Sequence, residues 1–287
     1  MILGDNRRAV IENIKNCAEN GQFHNKVELN DPVLTPEQNR AITDSYLENR
    51  TSLTFKLKTI LGVSLVKFAT KIINKNTEIV GIEKIPDDLG GLLITSNHFG
   101  PLENTVIRHL MNKLGRKKLG IISQTSNFAM TGFIGYIMNY ADTIPISTDP
   151  RYLARGFLSI LKERLVDQKH AILLYPEQEM WFNYRKPRPP KNGAYFYAAK
   201  LNIPIISCFV EIVDLDEDDT AEFKKVKYIL HILDVLYPDP SKSVKENTEE
   251  LGIIDYTLKK NCFEKVYGKE LTYNFESSDI AGWKEKL

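Results

Sequence analysis

The stretch Gly90–Leu110 reads GGLLITSNHFGPLENTVIRHL, and it contains the pattern that decides the fold. Two glycines precede a short apolar run that ends near Asn97, which predicts a buried strand. After that strand, Gly100 permits a tight bend, and Pro101 suits the first position of a helix. A helix is predicted over 101–114. The stretch therefore predicts a strand, a short polar loop and a helix in direct succession.

The same alternation continues to about residue 240. Further strand candidates lie at 119–123, 142–147, 170–176, 203–212 and 224–237. Helix candidates lie at 126–140, 150–167 and 192–201. Strands that alternate with helices indicate an α/β fold with a largely parallel sheet flanked by helices. The acidic segment 214–222 is expected to be a solvated turn in a hairpin that joins the last two strands.

Helical segments flank this α/β domain on both sides. A polar helix is predicted over 5–20. A second helical region starts at Pro36, with Thr35 as its cap, and continues with possible breaks to about residue 76. A final helix is predicted over 243–267. The expected domains are a helical N-terminal extension over 1–77, an α/β domain over 78–240 and a helical C-terminal extension over 241–287.

Composition narrows the class of protein without naming a function. The chain has 287 residues, of which 43% are hydrophobic and 26% charged, and its net charge is +1. This balance gives no global attraction to nucleic acid. Cys17, Cys208 and Cys262 form no CxxC motif and have no ligand spacing with the histidines, so we expect free thiols and no metal. No apolar run reaches signal-peptide or transmembrane length, so a cytosolic or membrane-surface location is expected.

The segment 53–73 reads LTFKLKTILGVSLVKFATKII and carries apolar residues at helical spacing. Lys56, Lys58, Lys67 and Lys71 are interleaved with them. A helix of this kind can lie on an anionic bilayer with its apolar face in the lipid. Amphipathic helices that pack on a soluble domain show the same pattern, so both interpretations stay open.

A histidine and a glutamate five positions apart bracket the predicted start of the helix. His98 is expected in the loop, and Glu103 in the first turn, where a negative charge suits the helix dipole. If the loop folds back, one ring nitrogen of His98 donates to Glu103 and the other is free to take a proton, as in a catalytic dyad. The structural alternative is a loop histidine beside a helix-capping glutamate. No GxSxG motif supplies a protein nucleophile, so the base would act on a substrate hydroxyl.

A second block of sequence adds to this motif. Tyr175, Pro176 and Glu177 end a strand candidate, and the cationic stretch NYRKPRPPKNG and an Ala-rich helix follow. Taken with NHFGPLE, this order resembles the phospholipid/glycerol acyltransferase family, which includes the lysophosphatidic acid acyltransferases. The resemblance covers roughly residues 78–240 and implies the glycerolipid acyltransferase fold.

The match to this family is residue by residue at the first block and partial at the later ones. Asn97 and His98 match an Asn-His-x4-Asp block, with Glu103 at the position of the Asp. After Glu177 the sequence departs from the family's Phe-Pro-Glu-Gly-Thr-Arg-Ser block, and the arginines that hold a glycerol phosphate in the family are missing.

Local cations offer replacements for the missing arginines. Arg185, Arg188 and Lys191 lie in a segment with three prolines, which stiffen it, and arginine can grip a phosphate with two hydrogen bonds. A neutral glycolipid acceptor is the alternative, because the amide, carboxylate and aromatic side chains that follow Glu177 would suit a sugar.

The resemblance implies an O-acyltransferase of the 1-acylglycerol-3-phosphate acyltransferase type. The acyl donor would be acyl-CoA or acyl-acyl carrier protein, and the acceptor a hydroxyl of a lysophospholipid or related glycerolipid. His98 would be the general base and Glu103 its orienter, while Asn97, Glu177 and the three cations would bind substrate. No cofactor is needed, because the thioester is already activated.

The expected location is cytoplasmic and peripheral, at the inner face of the cell membrane. Two rival interpretations stay open. One is a non-catalytic lipid-binding protein on the acyltransferase fold, which the altered third block motivates. The other is a hydrolase of acyl thioesters that uses His98 and Glu103 to activate water.

Overall fold

A seven-stranded sheet forms the centre of the computed structural model, which describes residues 6–29 and 32–284. The strands are β1 (Glu78–Val80), β2 (Leu92–Thr95), β3 (Leu119–Gln124), β4 (Thr143–Ile146), β5 (Ala171–Leu174), β6 (Ile205–Asp218) and β7 (Lys224–Leu236). Their spatial order is β1-β7-β6-β2-β5-β3-β4. Every neighbouring pair is parallel except β6 and β7, which form an antiparallel hairpin. The predicted α/β class with a largely parallel sheet is confirmed.

Helices connect the strands and precede and follow the sheet. They are α1 (Arg7–Glu19), α2 (Pro36–Asn49), α3 (Leu53–Ile73), α4 (Asn104–Lys113), α5 (Thr125–Phe128), α6 (Gly132–Tyr140), α7 (Leu158–Lys162), α8 (Gly193–Leu201) and α9 (Val244–Tyr267). The helix predicted over 150–167 is present as α7 with a π-helical segment on each side, Tyr152–Phe157 and Glu163–Asp167. The predicted helix start at Asp5 lies outside the described residues.

Two helix starts follow from local sequence. At α2, the Thr35 hydroxyl accepts from the amide of Gln38, and the Gln38 side chain accepts from the amide of Thr35. Ser243 and Glu246 form the same reciprocal pair at the start of α9. Each pair satisfies amides that a helix would otherwise leave without a partner, which is why these helices begin where the sequence predicts.

Both faces of the sheet are buried. On β2, Leu93 packs into the core on one face, while Leu92 and Ile94 pack into the core on the other. On β5, Ile172 and Leu173 divide between the two faces in the same way. A strand covered on both sides needs an apolar side chain at every position, which explains the continuous apolar runs in the sequence.

The acidic segment 214–222 is partly strand, which corrects the expectation of a loop. β6 continues to Asp218, and Asp214 pairs with Val226 of β7. The turn of the hairpin therefore occupies only residues 219–223. The two long strands extend the hairpin beyond the rest of the sheet, because their neighbours β1 and β2 have only three and four residues.

A third apolar cluster joins both ends of the chain to the segment that follows β5. Its members include Val10, Ile11 and Ile14 of α1, Trp181, Phe182 and Tyr184 after β5, and Phe223 and Ile280. Isolated β-bridges pair Tyr184 with Ile280 and Phe223 with Trp283. The N- and C-terminal segments thus cover the region that contains the cationic stretch of the sequence.

Helix α3 packs on the domain through one side and leaves the other side exposed. Gly62 faces α6 so closely that a Cβ at this position would lie 2.5 Å from the Tyr140 carbonyl oxygen. The large exposed apolar side chains of α3 are Leu53, Leu57, Ile60, Leu61, Leu65, Phe68 and Ile72. Among the described residues, no helix combines the length and apolar character needed to cross a bilayer.

Candidate active site

The loop after β2 is anchored to β6 by Asn97. Its side-chain amide donates to the Val210 carbonyl oxygen at 3.0 Å, and the Val210 amide donates back to its oxygen at 2.8 Å. These two bonds fasten the loop to the sheet through a side chain. Asn97 is 1% exposed and holds the loop that presents His98, while its predicted role in substrate binding stays a prediction.

His98 and Glu103 form the contact that their spacing predicts. His98 Nδ1 donates to one oxygen of the Glu103 carboxylate, and the other oxygen accepts from the amides of Phe99 and Gly100. Glu103 is the residue just before α4 and is 3% exposed. Backbone amides and the helix start hold the buried carboxylate in place, and the carboxylate in turn fixes the orientation of the imidazole.

The ring of His98 stacks on the ring of Tyr175, with centroids 4.1 Å apart and planes 7° from parallel. The Tyr175 hydroxyl is buried near Glu103 and Arg108. Burial, and next the Glu103 charge, raise the pKa of Tyr175 well above its usual value, so the phenol stays protonated near neutral pH. Tyr175 matches the family pattern in sequence, but its stacking on His98 was not predicted. The feature that could have indicated this contact is its position directly after β5.

Glu177 contacts the loop that carries His98 through the His98 backbone amide. One of its oxygens accepts from the His98 amide at 3.1 Å and from two guanidinium nitrogens of Arg188 at 2.9 and 3.1 Å. The other oxygen accepts from the Arg188 amide at 3.0 Å. Every one of these bonds joins protein groups, and Glu177 is buried. Glu177 supports the His98 backbone in this structure, and its predicted role in substrate binding stays a prediction.

Arg188 completes this buried network and is 2% exposed. Its guanidinium also donates to the carbonyl oxygens of Phe23 at 2.9 Å, His98 at 3.3 Å and Glu179. The Trp181 ring covers it at 4.4 Å. Protein acceptors surround the guanidinium, so Arg188 is part of a buried network in this structure, and its predicted contact with a substrate phosphate stays a prediction.

The remaining predicted cations differ in their surroundings. The Arg185 guanidinium binds the Asp214 carboxylate and donates to the Ser278 carbonyl oxygen at 2.7 Å. The structure thus places Arg185 against β6 and the C-terminal segment. Lys191 is exposed, and its side chain makes no ion pair with any described residue. Its backbone amide donates to the Pro176 carbonyl oxygen at 2.8 Å, which places it beside the support residue Glu177.

His24 lies at the same place and was missed from sequence. Its Nδ1 donates to the Glu177 carbonyl oxygen at 3.4 Å. Burial lowers the pKa of His24, and the charges of Lys191 and Arg188 lower it further. No sequence pattern links His24 to the site, because the contact depends on how the segment after α1 folds over the loop that follows β5.

The imidazole of His98 is accessible at this edge of the sheet. Its side chain is 20% exposed, and within the described residues no group hydrogen-bonds its Nε2. An imidazole with one nitrogen held by a buried carboxylate and the other open can take a proton from a hydroxyl that approaches the open nitrogen. The geometry thus provides a base, an orienting carboxylate and an open approach.

Comparisons with known proteins give a family match for part of the chain and a fold match for most of it. Residues 76–211 match the family model described as acyltransferase. The structure is similar to the crystal structure of the 1-acyl-sn-glycerophosphate (LPA) acyltransferase PlsC from Thermotoga maritima, with a TM-score of 0.50 and 17% identity, over 82% of this chain and 99% of that one. At this identity the likeness shows a shared fold. No curated protein matches the chain. Residues 76–211 thus match the acyltransferase family model, and the structure shares the fold of an LPA acyltransferase, which together support assignment of this domain to the acyltransferases.

Proposed function

We propose that this protein transfers a fatty acyl group from an acyl thioester to a hydroxyl of a lysophospholipid or related glycerolipid. The donor is acyl-CoA or an acyl-acyl carrier protein. The observation that carries the proposal is the imidazole of His98, which is fixed by Glu103 at Nδ1 and open at Nε2. No cofactor is required, because the thioester itself supplies the activated acyl group.

In the proposed reaction, Nε2 of His98 takes the proton of the acceptor hydroxyl as the oxygen attacks the thioester carbonyl carbon. The tetrahedral intermediate collapses when the C–S bond breaks. The leaving thiolate then recovers the proton from the imidazolium, so an ester and a free thiol are the products. The negative charge of Glu103 stabilises the imidazolium between the two steps.

A phosphate on the acceptor would meet Lys191 in this proposal. Of the cations predicted from sequence, Arg188 is buried and Arg185 is bound to Asp214, while Lys191 is exposed and beside Glu177. A neutral sugar acceptor is less well supported. Trp181 is completely buried in the third apolar cluster and offers no exposed ring face on which a sugar could stack.

Membrane contact through α3 belongs to the same proposal. Phe133 and Ile134 of α6, the helix against which Gly62 of α3 packs, are also exposed, at 68% and 53%. Lysines flank the helix, as expected for a surface that enters an anionic leaflet. We place the protein peripherally at the inner face of the cell membrane, where its proposed lipid acceptor would be found.

The test is a thiol-release assay with purified protein and acyl-CoA, with and without lysophosphatidic acid. We expect release that depends on the acceptor. His98→Ala should reduce kcat/KM on the order of 10²–10⁴-fold while circular dichroism shows a folded protein. His231→Ala is the matched control, because His231 contacts Glu211 on the sheet hairpin and takes no part in the site.

Other outcomes separate the rival functions. Release without any acceptor would indicate a hydrolase, and no release under either condition would indicate a lipid-binding protein. Near-normal turnover in folded His98→Ala would show that His98 is not the base.

A further inference from the structure

A groove with a volume of about 620 Å³ separates α3 from α4 on the surface. The two helices are antiparallel, because Asn74 near the end of α3 donates to Thr105 at the start of α4 at 2.9 Å. Farther along both helices the groove is lined by Lys67, Phe68, Lys71, His109, Asn112 and Lys113. His109, Asn112 and Lys113 lie about 9–15 Å along α4 from Glu103, at about 1.5 Å per residue, so the groove is separate from the dyad.

The groove carries three positive charges with no countercharge. Lys67, Lys71 and Lys113 make no ion pair with any described residue, and no carboxylate lines the groove. Lys71 and Lys113 lie in the last turns of their helices, where the dipole favours a cation, but Lys67 lies well inside α3. Three like charges around one concavity repel each other, and an anion bound between them would relieve that repulsion.

Two polar side chains add hydrogen-bonding capacity to these charges. His109 and Asn112 line the same groove from α4. Burial, followed by the charge of Lys113, lowers the pKa of His109, which agrees with a locally positive potential. A phosphate group, with several acceptor oxygens and a negative charge, matches this set of donors better than a carboxylate.

The surroundings of the groove identify the source of the phosphate. Phe68 lines the groove and is 69% exposed, and Ile72 and Ile60 of the same helix are 62% and 63% exposed. A soluble anion would leave these side chains in water. A bilayer would bury them in its acyl region and bring its phosphates to the level of the lysines.

We propose that Lys67, Lys71 and Lys113 bind the phosphate of an anionic glycerophospholipid in the membrane. This headgroup site rests on the proposed function only through its membrane contact, and it is distinct from the acceptor site at His98. The site would set the orientation of the protein on the leaflet, since a phosphate held between α3 and α4 fixes the rotation of α3 about its own axis.

The experiment is co-flotation of the full-length protein with vesicles of phosphatidylcholine alone or mixed with phosphatidylglycerol. The test variant combines Lys67→Gln, Lys71→Gln and Lys113→Gln. The matched control combines substitutions to Gln at Lys56, Lys75 and Lys117, which are exposed lysines outside the groove. Both variants lose three charges, so non-specific attraction to the surface predicts equal losses.

We expect the test variant to bind phosphatidylglycerol vesicles on the order of 100-fold more weakly than the wild type, at about fivefold per lysine. The control variant should lose clearly less. Equal losses in the two variants would overturn the proposal. So would wild-type protein that binds inorganic phosphate at His109, seen by NMR, but shows no preference for phosphatidylglycerol vesicles.

Acyl transfer to detergent-dispersed lysophosphatidic acid is measured on the same samples. The test variant should keep the wild-type rate, because none of the three lysines belongs to the catalytic site. If no sample transfers acyl groups, the proposed function fails while the vesicle result still decides the headgroup site.

Discussion

His98 is held at its ring and at its backbone by separate groups. Glu103 and Tyr175 fix the imidazole, while Glu177 accepts from its amide and Trp181 donates to its carbonyl oxygen at 3.0 Å. A side chain fixed in this way has little freedom to leave the reactive orientation. In the proposed reaction, pre-organisation of this kind would lower the cost of reaching the transition state.

The two oxygens of Glu103 have different hydrogen-bond partners. Two substitutions at this position should therefore reduce kcat to different extents. In Glu103→Gln, the amide oxygen can accept from Phe99 and Gly100, but the NH₂ group then faces His98 Nδ1. That contact forces Nδ1 to accept, so the ring proton moves to Nε2 and the base is lost. Glu103→Asp keeps the charge and the tautomer. We expect kcat to fall on the order of 10²–10⁴-fold for Gln and considerably less for Asp.

Steady-state kinetics of both variants, with thermal melting to verify the fold, measure this difference. If Gln retained more activity than Asp, Glu103 would be a helix cap, and the tautomer argument would be wrong.

The sequence predicted the dyad at the residue scale but not its supports. A five-residue spacing around Gly100 and Pro101 is local information, and local information is enough to bring His98 to Glu103. Tyr175 and Glu177 reach His98 only because β2 and β5 are neighbours in register, with Thr95 opposite Leu174. A single sequence does not contain strand order, so these contacts could not be derived from it.

At the scale of elements, helix starts and the hairpin were predictable, whereas the path of the cationic stretch was not. Thr35 and Ser243 mark helix starts by their own chemistry. Arg188 was predicted to bind a substrate phosphate because it lies in a cationic segment stiffened by prolines. It is buried because α1 and the C-terminal segment cover it, a contact between residues that are far apart in the chain.

This placement predicts that substitutions of Arg188 and Arg185 differ in their effect on the free energy of unfolding. The difference in their effect on substrate binding should be smaller. Arg188→Ala leaves the buried Glu177 carboxylate without its partner, which should cost about 3–5 kcal/mol of unfolding free energy. Arg185→Ala removes a pair whose Asp214 side chain is 41% exposed, and should cost below about 1 kcal/mol. Urea denaturation of both variants gives these values.

The double variant Glu177→Gln with Arg188→Met is the control, because it removes both charges and should recover part of the lost stability. A stable Arg188→Ala protein whose acceptor KM alone is raised would instead restore the phosphate role predicted from sequence.

Across the whole molecule, three partly buried histidines each have a pKa below the ordinary value. His24 lies beside Glu177, His109 on α4 and His170 just before β5. Burial is the largest cause that lowers the pKa of each. Acidic pH should therefore destabilise several regions of the fold at once.

The sign of the effect follows from proton binding. Below about pH 6.5, the ordinary pKa of histidine, the unfolded chain binds more protons at these three positions than the folded protein does. The contribution of these three histidines to the free energy of unfolding therefore rises with pH in this range. It has its full value above about pH 6.5 and is lost as the pH falls through the lower folded pKa values. Carboxylates also weaken the fold in acid, so the histidine share must be isolated by difference.

Urea unfolding of the wild type and of a variant with His24→Gln, His109→Gln and His170→Gln, measured at several pH values from neutral to mildly acidic, provides that difference. We expect the variant to lose less unfolding free energy than the wild type over the range. The two proteins should converge in slope above the ordinary histidine pKa, where none of the three sites changes protonation in either state. Parallel curves over the whole range would mean that these histidines titrate alike in the folded and unfolded chains, and that their burial does not contribute to the acid sensitivity of the fold.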